Sequence, residues 1–332
     1  MRWIRAINEI RNFMRFFFTV LLTVALNANV VKAQERFPWK PLRIVVPFAP
    51  GGSTDIIGRL VAQYLSDKLG QSFFVENRPG GGNNIGTEMA AHAPPDGYTL
   101  FMANSVNAIN NSLYENLNYV FMNDFVPIVN TMTSPCLMMV HPSVAAKTAA
   151  EFIALAKANP GKINMGSGGV GSTGHLGGEL LQMMAGIKLT HVPYRGEAPA
   201  MTDLIAGHCQ MVIATTGSAM EYCKAGSVRA IAVTLDMKLD ALPDVKPLSD
   251  LLPGYRATGW SGLVAPKNVP ADIVALLHKH ASDALAQPNI RQRVIDMGGV
   301  VPGGTAADFG RFMAEDTERW AKVIKVAGIK VN

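Results

Sequence analysis

A chain of 332 residues, 48% of them hydrophobic, is long enough for two α/β domains, each with its own core. Its formal net charge of +5 is concentrated at the N-terminus: without residues 1–33, which carry five Lys/Arg and one Glu, about +1 remains, with no dense basic run, so nucleic acid is excluded as a partner. Three widely spaced cysteines, Cys136, Cys209 and Cys223, exclude a disulfide scaffold and any Cys-x-x-Cys motif.

The first 33 residues read as an export signal. Arg2, Arg5, Arg11 and Arg15 precede the apolar run Phe16 to Leu26, and Val31-Lys32-Ala33 offers small residues for cleavage after Ala33. The run is roughly half the ~20 apolar residues of a spanning helix, so a retained anchor is the lesser alternative. An exported protein permits a Cys209–Cys223 disulfide; the alternative is that all three cysteines are small buried hydrophobes.

From Pro41 onward one grammar repeats: a short apolar strand, a glycine-containing turn, then a helix. Leu42 to Pro47 reads as a buried strand, and Ile56, Ile57, Leu60, Val61, Tyr64 and Leu65 recur at helical spacing until Gly70 stops the helix. Between them lies Phe48-Ala49-Pro50-Gly51-Gly52-Ser53-Thr54-Asp55. Without a Cβ at Gly51 or Gly52 a ligand can approach the main chain, and the N-terminus of the following helix carries roughly half a positive charge, which suits an anion.

Ser72 to Val75 is a second strand, followed by the small-residue loop Asn77 to Gly86 and a short helix that Pro94 and Pro95 end. Thr99 to Ala103 is a third strand, running into a polar loop with Asn104, Ser105, Asn107, Asn110 and Asn111. Phe125 to Val140, mostly apolar with polar breaks at Ser134-Pro135, reads as the chain leaving one domain for another. Thr148 and Glu151 form a capping box for the next helix. Strand Ile163 to Met165 leads through the loop Gly166 to Gly174 to a helix with Leu176, Leu180 and Met184 on one face. Strands Leu189 to Val192 and Cys209 to Ala214 each lead to a further helix. Gly254 to Pro266 is the return crossing, and helices Ala271 to Ala286 and Ala306 to Val326 complete the first domain.

This alternation predicts an α/β fold with mostly parallel sheets and helices on their faces, and ligands beyond the carboxyl ends of the strands. Gly166-x-Gly168-x-x-Gly171 matches a dinucleotide fingerprint in form, but no acidic residue precedes Glu197 at the end of the next strand. Arg195 would suit a 2′-phosphate, which keeps an NADP-dependent reductase as an alternative; Arg195 is otherwise a carboxylate clamp or a solvated loop residue. Gly81 to Thr87 lacks the lysine of a phosphate loop, and Gly-x-Ser-x-Gly and His-Glu-x-x-His are absent. His278 and His280 point to different faces of a helix, which disfavours a shared metal. His175 either hydrogen-bonds a ligand or braces its loop, and Asp55 is stabilised by the helix dipole whether or not it functions.

Several motifs together, Val46 to Asp55, Glu76-Asn77-Arg78-Pro79-Gly80, Pro95-Asp96-Gly97-Tyr98-Thr99-Leu100, His175-Leu176, Val192-Pro193-Tyr194-Arg195-Gly196 and Gly262 to Pro266, resemble the Bug receptors, the extracytoplasmic solute-binding proteins of tripartite tricarboxylate transporters. The resemblance runs from about Trp39 to Asn332. It implies a two-domain periplasmic binding protein of type II-like architecture with a two-segment hinge, domain 1 comprising 34–135 and 260–332 and domain 2 comprising 136–259. It further implies a monomer without cofactor, metal or catalysis that closes on a small carboxylate, such as a di- or tricarboxylate, an acidic amino acid or an aromatic acid, and delivers it to membrane subunits of the transporter. A ligand-sensing accessory to a membrane kinase is the alternative role. By position the resemblance assigns ligand contacts to Phe48, Ala49, Gly52, Thr54 and Asp55 on one side and to Ser167, Gly171, Ser172, Thr173 and His175 on the other, with Asn104 and Tyr194 added. Gln210 and Ala214 stand where relatives often carry Asp, and Asn104-Ser105-Val106-Asn107 where they usually read Asn-Gly-Thr-His; these departures bear on ligand identity.

Overall fold

The first strand, β1 (Leu42–Val46), is a run of branched side chains of which only Arg43 escapes full burial. In the computed structural model, which describes residues 37–330 together with Trp3 and Met14, it sits inside a sheet. The export-signal reading of residues 1–33 lies, Trp3 and Met14 apart, outside the described residues. After β1 the chain turns into α1 (Ser53–Leu69), which buries Ile57, Val61 and Leu65 and ends at Gly70, whose φ of 72° is costly for any residue with a Cβ. The next unit adds β2 (Phe73–Asn77), a single turn at Gly81–Asn83 and α2 (Asn84–Ala91). Both β2 and β3 (Thr99–Asn104) lie parallel to β1, as strand–helix–strand crossovers require.

The asparagine-rich stretch after β3 is a helix, α3 (Ser105–Leu113), where the sequence suggested a loop. Asparagine usually diverts the backbone from helix, but here the amides have distant partners: Asn107 Nδ2 donates to Thr87 Oγ1 at 2.8 Å, and Asn110 Nδ2 donates to Gly82 O at 2.7 Å. Buried Ala108, Ile109 and Leu113 supply the apolar face.

A single turn, α4 (Phe121–Asp124), precedes β4 (Phe125–Val140), a strand of 16 residues. Beyond it the grammar resumes with α5 (Ala149–Ala158), β5 (Asn164–Ser167), α6 (Thr173–Ala185), β6 (Thr190–Pro193), α7 (Glu197–Ile205), β7 (Met211–Thr215), α8 (Thr216–Lys224) and β8 (Arg229–Val233). Thr148 caps α5, while Glu151 reaches back to the N–H of Lys147 rather than to that of Thr148. The return strand β9 (Thr258–Pro266) is followed by α9 (Ala271–Ala286), by α10 (Pro288–Asp296), which the sequence reading omitted, and by α11 (Ala306–Ala327).

Among the described residues the strands form one sheet ordered β2-β1-β3-β9-β4-β7-β5-β6, with β8 also on β4. The repeated units pair in parallel, but β4 and β9 run antiparallel to all their neighbours, so the sheet is mixed rather than mostly parallel. The reason is connectivity: those two strands are the crossings, not members of a strand–helix repeat. Strand β4 changes partners between Pro135, opposite Thr258 of β9, and Cys136, opposite Thr215 of β7. Helix α11 packs against α3, β4 and α6 and buries Phe309, Met313, Trp320 and Val323. Cys136 and Cys209 are buried, Cys223 is half-buried and all three are free thiols.

Candidate functional site

Four helices begin at one cleft. Residues 53 and 54 open α1, 105 and 106 open α3, Thr173 opens α6, and Thr215 is the N-cap of α8. Ser53, Thr54, Ser105, Val106, Thr173 and Thr215 line a cavity of about 170 Å³ together with Phe48, Asn104, Met132 and Ser134 of β4, and Gly259, Trp260 and Ser261 of β9. None of these lining side chains is charged. The first turn of a helix has N–H groups without intrahelical partners and the positive end of the dipole, so the convergence suits an anion without a cation, although the Thr215 N–H at the α8 start is itself bonded to Glu197.

The loop after β1 is held from beneath by Asp55, which is 2% exposed. It accepts from the Gly51 N–H at 2.9 Å, from Asn77 Nδ2 at 2.9 Å and from Arg59 Nε at 3.0 Å. Burial acts to raise its pKa, but the hydrogen bonds from Arg59, Gly51 and Asn77 outweigh it and hold the carboxyl below its ordinary value. Asn77 also donates to Phe48 O at 3.0 Å, so one amide ties strand end to helix start.

Asn104 ends β3 and caps α3. Its Oδ1 accepts from the Val106 N–H at 3.0 Å and from Asn83 Nδ2 at 3.3 Å, while Asn107 Oδ1 accepts from the Asn104 N–H at 2.9 Å. That reciprocal cap fixes the amide so that Nδ2, on a side chain only 3% exposed, has no partner among the described residues. A buried donor left unmatched is costly.

The loop before α6 is braced from behind. Ser172 Oγ caps the helix by accepting from the His175 N–H at 3.2 Å, and His175 Nδ1 accepts from the Gly171 N–H at 3.1 Å, which places the imidazole proton on Nε2. His191 Nε2 lies 2.7 Å from Ser167 Oγ, which in turn accepts from the Gly169 N–H at 3.2 Å. Tyr194 donates to Asp203 Oδ2 at 2.7 Å.

Of the residues singled out from sequence, Phe48, Thr54, Asn104 and Thr173 line the cleft together. Ala49 and Gly52 sit exposed on the loop above it, and no atom lies within 4 Å of where a Gly52 Cβ would stand. Asp55, Ser167, Gly171, Ser172, His175 and Tyr194 are placed where their polar groups hold the loops. Ser53, Ser105 and Val106 also line the cleft and are absent from the contacts expected from sequence, the last two because the asparagine-rich stretch reads as a loop and not as a helix start. Also absent are Met132, Ser134 and Gly259 to Ser261, which line the cleft only because the two crossing strands pass its floor; Ser134 and Trp260 were visible as a polar break and a crossing, with no signal of a site. Thr215, at a strand end before a helix, obeyed the rule that placed the other loops.

The glycines of the dinucleotide-like pattern have packing reasons. A Cβ on Gly166 would come within 3.0 Å of Cys209 Sγ and Val212 Cγ2, and one on Gly171, at φ +77°, within 2.7 Å of Leu113 Cδ2. Arg195 is exposed. Among the described residues no group of three His, Cys, Asp or Glu side chains could hold a metal ion, and no helix is long and apolar enough to cross a membrane. A larger hollow of about 500 Å³ lies between β8 and the start of α5, lined by charges of both signs, Lys147, Lys246, Asp244 and Asp250.

Residues 57–329 match the family model described as tripartite tricarboxylate transporter family receptor. The protein BugT of Bordetella pertussis is 32% identical over 90% of this chain and 92% of its own. Among solved structures, R. palustris Rpa4515 with adipate is 32% identical with a TM-score of 0.73, covering 89% of this chain and all of its own. MatC from Rhodopseudomonas palustris with bound malate is 30% identical with a TM-score of 0.70, covering 87% of this chain and all of its own. The chain therefore has the α/β fold of the periplasmic binding proteins and belongs to the receptor family of the tripartite tricarboxylate transporters, that of the Bug proteins.

Proposed function

We propose that this receptor works outside the cytoplasmic membrane, captures a small carboxylate in the cleft and hands it to the membrane subunits of a tripartite transporter. The observation that carries this is the convergence of four helix starts on a cleft whose lining, Asn104 with its unmatched buried amide included, has no charged side chain. A carboxylate held there by neutral donors gains ~1.5–3 kcal/mol per charge-assisted bond. At about 170 Å³ the cavity is smaller than the ~300–1,000 Å³ of drug-sized sites, which suits a small metabolite. Similar proteins have been solved with adipate and with malate.

In this reading Phe48, Thr54, Asn104 and Thr173 touch the ligand, and the exposed loop at Ala49 and Gly52 closes over it. Asp55, Ser167, Gly171, Ser172, His175 and Tyr194 set the loops that present the N–H groups. Two lobes, 34–135 with 260–332 and 136–259, close about β4 and β9; the change of partners of β4 at Pro135 and Cys136 supports a hinge there. The protein is exported with cleavage after Ala33, acts in the periplasm as a monomer and performs no chemistry on its ligand.

Thermal melting of the mature protein against a panel of di- and tricarboxylates, acidic amino acids and aromatic acids tests the proposal. A true ligand at a hundredfold excess over its dissociation constant stabilises by about 2.7 kcal/mol. Gly52→Val, whose side chain meets open space in the protein, and Ser172→Ala should both reduce that shift. Equal melting with and without every acid, in the wild type and both variants, overturns it.

A further inference from the structure

One of the four helix starts at the cleft is already occupied by the protein's own carboxylate. Glu197, in the first turn of α7, accepts from Thr215 Oγ1 with Oε2 at 2.7 Å and from the Thr215 N–H with Oε1 at 3.2 Å. These are the hydroxyl and N–H with which the start of α8 would meet an anion in the cleft. Thr215 makes no side-chain cap to its own helix; its hydroxyl is turned to Glu197, with Ser218 Oγ 3.2 Å away. Gly168 admits the approach, since a Cβ there would stand 3.4 Å from Glu197 Cγ and 3.3 Å from its backbone nitrogen. Cys136, opposite Thr215 in the sheet, lies near enough to feel the charge: its thiol is pushed up to about 12, first by burial and then by Glu197.

We propose that Glu197 is a specificity-determining residue that closes the α8 end of the cleft to a second carboxylate, so that the ligand is a small monocarboxylic acid with an uncharged body. This rests on the carboxylate-receptor reading above. The ligand's carboxylate meets the starts of α1, α3 and α6, where Asn104 has its free donor. Its other end lies toward Thr215, Ser134 and Gly259, which are neighbours: a Cβ on Gly259 would be 3.7 Å from Ser134 Cβ and 3.8 Å from Thr215 Cγ2. No Lys or Arg lines the cleft to neutralise a second negative charge there, and like charges brought together in a water-poor site repel. Phe48, Val106, Met132 and Trp260 offer apolar surface to the rest of the molecule.

Isothermal titration of the mature protein with matched pairs, hexanoate against adipate and lactate against malate, tests this. The wild type should bind a monoacid at least about tenfold tighter than its diacid partner. Glu197→Gln should raise affinity for the diacid by about tenfold while leaving the monoacid within about threefold. Glu197→Ala, which frees both donors of Thr215, should raise it further. A wild type that binds the diacids as well as the monoacids overturns the inference, whether or not the variants fold, and so does a Glu197→Gln variant that changes both acids by one factor. Those outcomes leave the receptor reading standing, whereas absence of binding by these four acids and by every acid of the wider panel overturns both.

Discussion

His175 and His191 stack face to face behind the start of α6, ring centroids 3.8 Å apart and planes 12° from parallel. Burial, with His191 beside it, pushes the His175 pKa down to about 4, and burial lowers His191 as well. The unfolded chain takes up these protons near pH 6.5, the folded one at about pH 4 for His175 and below the ordinary value for His191. Stability is therefore fully present above pH 6.5 and falls as pH drops toward 4, by on the order of 3 kcal/mol for His175. Glu179, whose carboxylate oxygen lies 3.7 Å from His175 Nε2, is held above its ordinary value by burial and offsets part of the loss. Urea denaturation at pH 7.5 and 5.0 checks this. His175→Asn, which keeps an acceptor for the Gly171 N–H and cannot titrate, should flatten the difference; an unchanged pH dependence contradicts it.

Asn104 separates capping from binding. Asn104→Asp keeps the acceptor that caps α3 at the Val106 N–H but replaces the unmatched Nδ2 donor with a negative charge. Ligand affinity should fall at least about tenfold while the melting temperature of the free protein stays within a few degrees. Titration and melting on the same sample read both, and a joint loss of fold and binding counts against the assignment.

The wall residue Trp260 is positioned from α11. Its indole N–H donates to Asp316 Oδ2 at 2.8 Å, Trp320 Nε1 donates to the same oxygen at 3.0 Å, and Arg319 Nη1 donates to Oδ1 at 2.6 Å. Asp316 is fully buried, and burial raises its carboxyl against the pull of Trp260 and Arg319. Asp316→Leu strands three donors and should cost about 3–5 kcal/mol in chemical denaturation. Asp316→Asn should cost less, because an amide oxygen in the place of Oδ2 still accepts from both indoles and only the Arg319 bond is lost.

Gly174 lets α6 lie close to the sheet. A Cβ there would stand 2.2 Å from Ile213 O, a backbone atom that cannot swing aside. Gly174→Ala should destabilise the protein by about 1–3 kcal/mol and weaken binding, since Thr173 beside it lines the cleft. Denaturant melts of the variant check the first part and titration the second.

The strand–loop–helix units were legible because β1 and β7 carry apolar runs and end at small residues before helices, a local pattern. Helix α3 was not, since the partners that satisfy Asn107 and Asn110 are Thr87 and Gly82, distant in sequence. The antiparallel course of β4 and β9 follows from tertiary connection, which no local period encodes. Within the site, Phe48, Thr54 and Thr173 stand at strand-to-helix turns and could be found by that rule. Ser134 and Trp260 enter through the crossing strands, and Glu197 reaches the cleft only through a contact with Thr215, 18 residues away.

Isothermal titration of the mature protein with the panel of small carboxylates tests the central claim most directly. The account predicts saturable binding of at least one acid with one molecule per chain, lost in Asn104→Asp. No heat of binding from any acid, to protein shown to be folded by its cooperative melt, would contradict it.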